Sequence, residues 1–258
     1  MKTLIAAVLL VASASFAKVV SRPVAYELGP TKFEGVLIFD DAVKTPRPGL
    51  VLVPNWMGIN ASNLKQAEEI ASQKYVLFVA DMYGKAVRPK DMAEAGKAAT
   101  AVKSDRKLMR ERINKAVEVL LAQGKPAGMD ASKLGAVGFC FGGTSVLELA
   151  RSGAKVAAVV SIHGGLDTPN PDDAKAYKGK ILAMNGADDP NVPPAQVAAF
   201  EAEMRAAKID WQSVDFGGAV HSFTDPEANA PGQAQYNPAV AKRAFKMMHD
   251  YFAEAFGG

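Results

Sequence analysis

Leu134-Gly135-Ala136-Val137-Gly138-Phe139-Cys140-Phe141-Gly142-Gly143 runs from a strand-like apolar stretch directly into a helix-like one that continues to Arg151. Gly138 to Gly143 carries a glycine-x-nucleophile-x-glycine pattern with cysteine at its centre. Such a turn is tight and strained, and strand and helix approach too closely for Cβ atoms on the flanking glycines. It lifts the side chain above the sheet edge beside a helix N-terminus, whose free N–H groups and dipole favour a thiolate. Cys140 is the only cysteine in the chain, so no internal disulfide competes for its sulfur. A lone cysteine is most often a small buried hydrophobe; its place at the centre of this turn argues for chemistry instead.

Outward from this stretch, apolar runs and amphipathic segments alternate. Residues 50–53, 75–80, 155–162 and 180–184 read as strands apolar on both faces, which suits central strands of a parallel sheet covered by helices on each side. Helical patterns fall at 63–73, 91–122, 143–151, 194–207 and 238–256, with the charged stretch 103–115 as the solvated face of one long helix. The alternation predicts one doubly wound α/β domain over 18–258. Val24–Leu28 and Phe33–Phe39 flank Gly29-Pro30-Thr31, which predicts an antiparallel hairpin at one sheet edge.

The first residues read as a targeting segment rather than as part of the fold. Lys2 precedes an apolar run from Leu4 to Val11, too short to span a bilayer, and Ser15-Phe16-Ala17 offers small residues at a cleavage site. Export to the periplasm or medium, with cleavage after Ala17 and no membrane insertion afterwards, is the expectation. Composition is ordinary for a globular chain, with 49% hydrophobic and 22% charged residues. The net charge of +3 arises from 30 basic and 27 acidic side chains scattered along the sequence, without the basic runs that nucleic-acid binders use. No cofactor is implied, and the cysteine and histidines lack metal-ligand spacing.

A cysteine nucleophile on such a sheet calls for an acid and then a histidine later in the chain. Asn185-Gly186-Ala187-Asp188-Asp189 follows the strand 180–184, and Asp189 is favoured over Asp188 on its spacing from Gly186 and from Val192-Pro193. Of three histidines, His221 lies in a loop after the strand-like 210–216, His249 lies within the last helix, and His163 ends a strand at the edge where α/β sites collect. Cys140, Asp189 and His221 are therefore the candidate catalytic residues, and His163 is a candidate for the pocket wall.

These residues resemble the dienelactone hydrolase family over essentially the whole chain after the leader. The resemblance rests on Gly-Phe-Cys-Phe-Gly-Gly (138–143), Asp189 with Val192-Pro193, Gly-Ala-Val-His-Ser-Phe (218–223), Val79 to Gly84, and Asn55-Trp56-Met57-Gly58. It implies an α/β-hydrolase fold, a Cys140–His221–Asp189 triad acting on a small ester or lactone, and an oxyanion hole made by the backbone N–H groups of Trp56 and Phe141. Asn55, Tyr83 and Phe223 join His163 as expected pocket residues, with Met57 beside them. Two positions depart from the better-known members: Asn55 stands in place of a glutamate, and Asp225 stands where an arginine holds the substrate carboxylate. Arg88 and Arg106 are the remaining candidates for that cation. The departures favour a neutral or less acidic ester, lactone or thioester over a dienelactone carboxylate. Two other readings stay open, a ligand-binding module without turnover and a redox-active thiol protein. The expected state is a monomer or small homo-oligomer.

Overall fold

The computed structural model describes residues 19–72 and 74–258; the expected leader, 1–17, lies outside them. Eight strands form one sheet: β1 (Val19–Leu28), β2 (Thr31–Asp40), β3 (Arg47–Val53), β4 (Val76–Val79), β5 (Met129–Phe139), β6 (Ala158–Ile162), β7 (Lys180–Gly186) and β8 (Asp210–Phe216). Their spatial order is β1-β2-β4-β3-β5-β6-β7-β8. The β1–β2 hairpin joins antiparallel at one edge, and every pairing from β4 to β8 is parallel. The fold is thus the expected α/β arrangement with an N-terminal antiparallel hairpin.

Among the described residues, six α-helices cover the sheet: α1 (Ala61–Ala71), α2 (Met92–Lys103), α3 (Arg106–Gly124), α4 (Phe141–Arg151), α5 (Pro194–Ala207) and α6 (Pro238–Ala255). In the central strands alternate residues face opposite layers, and both layers are buried. Val51 and Val53 of β3 and Phe78 of β4 pack toward α3 and α4, whereas Leu50, Leu52 and Leu77 pack toward α1 and α6. This double burial is why the strands read as unbroken apolar runs.

One expectation fails in detail. The helix predicted over 91–122 is two helices, α2 and α3, broken at Ser104-Asp105. Asp105 leaves helical geometry and its carboxylate accepts the Leu108 N–H at 2.9 Å, starting α3 with an N-cap. The break frees α2 to turn its Gly96–Lys103 face toward the carboxyl ends of the strands, where the site lies.

Candidate active site

The candidate residues come mainly from loops that leave the carboxyl ends of β3, β4, β5, β6, β7 and β8. The chain moves from β3 outward to β4, then returns across β3 to β5, so the sheet order reverses there and opens a crevice.

β5 ends at Phe139 and α4 begins at Phe141, leaving Cys140 as the single residue of the turn, at φ +54° and ψ −117°. A non-glycine residue there carries strain of about 1–3 kcal/mol, held by its surroundings. A Cβ on Gly138 would overlap the Gly142 carbonyl, and one on Gly142 would overlap the Val53 carbonyl; both positions therefore need glycine. The Cys140 N–H is shared between Ile162 O and His163 Nδ1, each at 3.0 Å.

Asp189 sits in the turn after β7, buried, with Oδ1 accepting the Asn191 N–H at 2.8 Å. Its neighbour Asp188 is exposed and donates its N–H to Ala219 O at 3.0 Å. His221 follows β8 and is braced by a short hairpin, β9 (Asn229–Ala230) with β10 (Ala234–Gln235). Its N–H donates to Gln233 O at 3.2 Å, and its carbonyl accepts the Gln235 N–H at 3.0 Å. Cys140, His221 and Asp189 come together in one line. His221 Nε2 lies 3.0 Å from Cys140 Sγ and Nδ1 lies 2.7 Å from Asp189 Oδ2. Burial opposes a charge on this imidazole, but the hydrogen bonds to Asp189 and Cys140, and their negative charges, push it up to about 10. The arrangement can hold an imidazolium against a thiolate, or pass a proton from sulfur to nitrogen.

Trp56 and Phe141 flank Cys140. Phe141 is the first residue of α4, where an N–H has no acceptor within its own helix. The Trp56 peptide is clamped on both sides: its carbonyl accepts the Tyr83 hydroxyl at 2.8 Å, and the next N–H, from Met57, donates to Asn55 Oδ1 at 3.0 Å.

A cavity of about 440 Å³ opens over Cys140. Trp56, Phe141 and His221 line it, but Asn55, Tyr83, His163 and Phe223 do not, contrary to the expectation that they form its wall. Each serves behind the wall. Tyr83 is buried against Phe141 and holds Trp56; burial and the nearby Cys140 push its phenol well up, so it stays a donor. Asn55 spends its amide on Met57, Asn63 and Asp225. His163 is buried under the turn, and Phe223 packs edge-to-face on it with ring centroids 5.0 Å apart. Arg88 is bound to Asp81 and Arg106 to Asp167, so both arginines already have carboxylate partners.

The wall missing from the sequence reading is α2. Gly96, Ala99, Thr100 and Lys103 line the cavity at helical spacing, with Lys103 Nζ 3.4 Å from Asp167 at the rim. The repeat of small residues was visible, but a helix face of that kind more often packs against a core. Asn191, Ser222 and Gln233 add polar groups near His221. Among the described residues no group of three or more His, Cys, Asp or Glu is arranged to hold a metal ion, and no helix is long and apolar enough to cross a membrane.

Comparison with known proteins agrees with this architecture. A dienelactone hydrolase-like promiscuous phosphotriesterase from metagenomic libraries superposes with a TM-score of 0.86 at 37% identity, covering 92% of this chain and 99% of that one. A dienelactone hydrolase from Anabaena variabilis shares the fold at a TM-score of 0.62 and 21% identity, covering 90% of this chain and 98% of that one. A Bradyrhizobium protein named "Probable 2-oxo-3-(5-oxofuran-2-ylidene)propanoate lactonase" is 27% identical over 77% of this chain and 80% of its own length. The model of the dienelactone hydrolase family matches residues 33–256, and the chain belongs to that family, as an α/β hydrolase.

Proposed function

We propose that this hydrolase cleaves an ester or lactone through a Cys140–His221–Asp189 triad and a covalent thioester. The carrying observation is the continuous line Sγ–Nε2 at 3.0 Å and Nδ1–Oδ2 at 2.7 Å at the floor of the cavity. With the thiol proton held by His221, sulfur attacks the carbonyl carbon, and the oxygen of the tetrahedral intermediate turns toward the N–H groups of Trp56 and Phe141. Collapse breaks the bond to the alkoxy oxygen, which leaves with the proton from His221. Water then adds to the thioester, giving one proton to His221, and the acid departs as the thiol is restored. Asp189 holds the tautomer with N–H on Nδ1 and steadies the imidazolium between steps.

The substrate proposed is a neutral or weakly acidic ester, lactone or thioester. With asparagine at 55 and aspartate at 225, neither position offers a cation to a substrate carboxylate, and Lys103 in the cavity wall is paired with Asp167. Export with removal of residues 1–17 is part of the same proposal, as is a monomeric or small homo-oligomeric state. N-terminal sequencing of exported material should begin near Lys18, and an intact Met1 there would contradict it.

A panel of short-chain p-nitrophenyl esters, simple lactones and an aryl phosphotriester, run on wild type, Cys140→Ala and His221→Ala, tests the chemistry. Turnover that both substitutions abolish supports it. Turnover that survives both would overturn the triad mechanism, and no turnover of any member while ligands still bind would replace the proposal with the binding-module reading.

A further inference from the structure

His163 lies outside the proton-relay line yet touches both of its moving parts. Its Nδ1 accepts the Cys140 N–H at 3.0 Å, so that nitrogen carries no proton. A neutral imidazole then bears its single N–H on Nε2, which faces Thr224 Oγ1 at 2.8 Å. Thr224 is buried three residues after His221 in the same loop. The His163 backbone is itself fixed, with its N–H donating to Met184 O at 2.7 Å on β7 and its φ at +41°. The ring is fully enclosed, between Phe139 and Phe223, with the His221 ring centroid 5.3 Å away.

We propose that His163 is a positioning residue: one neutral imidazole ties the strained Cys140 turn to the Thr224 end of the His221 loop and keeps Sγ and Nε2 in register. A protonated His163 would aim an N–H at the Cys140 N–H and set a second cation beside His221, so the tie works only in the neutral form. Burial, and then the nearby His221, hold its pKa well below the ordinary histidine value. The titratable groups that face it are Cys140 from the turn and His221 from the loop after β8; Phe139, Phe223 and Thr224 are neutral. The role rests on the proposed triad for its effect on turnover, but not for its effect on the thiol.

Three variants test it: His163→Leu, His163→Asn and Thr224→Val. Asparagine offers an oxygen near the Nδ1 position and tolerates positive φ, whereas leucine offers no acceptor, and valine removes only the hydroxyl. Two quantities are read, kcat and KM on a p-nitrophenyl ester and the rate of Cys140 alkylation by iodoacetamide against pH. An ångström-scale misplacement of reacting groups costs on the order of 100-fold, so His163→Leu should lower kcat by about that factor with little change in KM. His163→Asn should regain part of the loss, and Thr224→Val should show a smaller loss in kcat. In the leucine and valine variants alkylation at acidic pH should slow more than at alkaline pH, because the imidazole no longer faces the sulfur. Equal losses in the leucine and asparagine variants, or an alkylation profile unchanged by Thr224→Val, would overturn the proposal. Should the leucine variant fail to fold, the valine variant decides. Should wild type cleave no ester, the alkylation profile decides alone, which separates this proposal from the hydrolase reading.

Discussion

Asn55 Nδ2 donates to Asp225 Oδ2 across 3.2 Å. The two positions that depart from the better-known family members are therefore partners, and each explains the other. A glutamate at 55 would face the Asp225 carboxylate with like charge, whereas the asparagine amide donates to it. Through this bond, and through the Met57 N–H on Asn55 Oδ1, the loop that carries Trp56 is fastened to the loop that carries His221.

Asn55→Glu alone should thus lower kcat/KM, and Asn55→Glu with Asp225→Arg should recover much of the loss. A double-mutant cycle on ester turnover should give a coupling of about 0.5–3 kcal/mol, the range for side chains in direct contact. Additive effects would show that the two residues act independently.

Asp189→Asn should keep the fold and lose the rate. The amide cannot hold the imidazole as the carboxylate does, and a loss approaching ~10⁴-fold in kcat is the scale for this change in a triad. Circular dichroism beside single-turnover kinetics separates lost chemistry from lost structure.

Stability should also respond to pH through His221. Its folded-state pKa is raised to about 10, above the ordinary value of about 6.5. The stabilisation from its contacts is therefore full below about 6.5 and fades as pH rises through about 10. Melting temperatures measured across that window should fall more steeply for wild type than for Asp189→Asn, in which the imidazole has lost its main partner.

Arg151 predicts a structural effect at a distance. It is buried and bonded to Glu148 and Glu203, and its Nη2 donates to Leu166 O at 2.9 Å beside the Gly165 wall of the cavity. Arg151→Met leaves two buried carboxylates without this cation, although Arg110 still reaches Glu148. A loss of about 3–5 kcal/mol in urea unfolding is expected, the usual scale for breaking a buried pair.

Ala99 faces the cavity from α2. Ala99→Leu should raise KM for bulky esters while acetate esters are handled as before, because only the space over Cys140 changes. A uniform loss across chain lengths would point to distortion of the turn instead.

Much of this was legible in the sequence. The apolar runs marked β3, β5 and β7 because those strands are buried on both faces, and the glycines around Cys140 marked the turn because backbones meet there. The Cys140, Asp189 and His221 contacts were foreshadowed by their order along the chain. The α2–α3 break was missed because its signal is a single capping aspartate, Asp105, inside a continuous helical pattern. The pocket was misjudged for a related reason. Aromatic side chains at Tyr83 and Phe223 read equally well as wall or as core, and only three-dimensional packing puts them behind Trp56 and His163. The bond between Asn55 and Asp225 spans 170 residues, and no local pattern announces it.

His221 follows Cys140 by 81 positions, and that separation also sets a schedule. At the usual pace of synthesis, about 5–20 residues per second, a growing chain carries its cysteine for roughly 4 to 16 s before the imidazole exists. Through that interval the sulfur lacks its partner, and whatever reactivity His221 lends it arrives only after β6, β7 and β8 have been made.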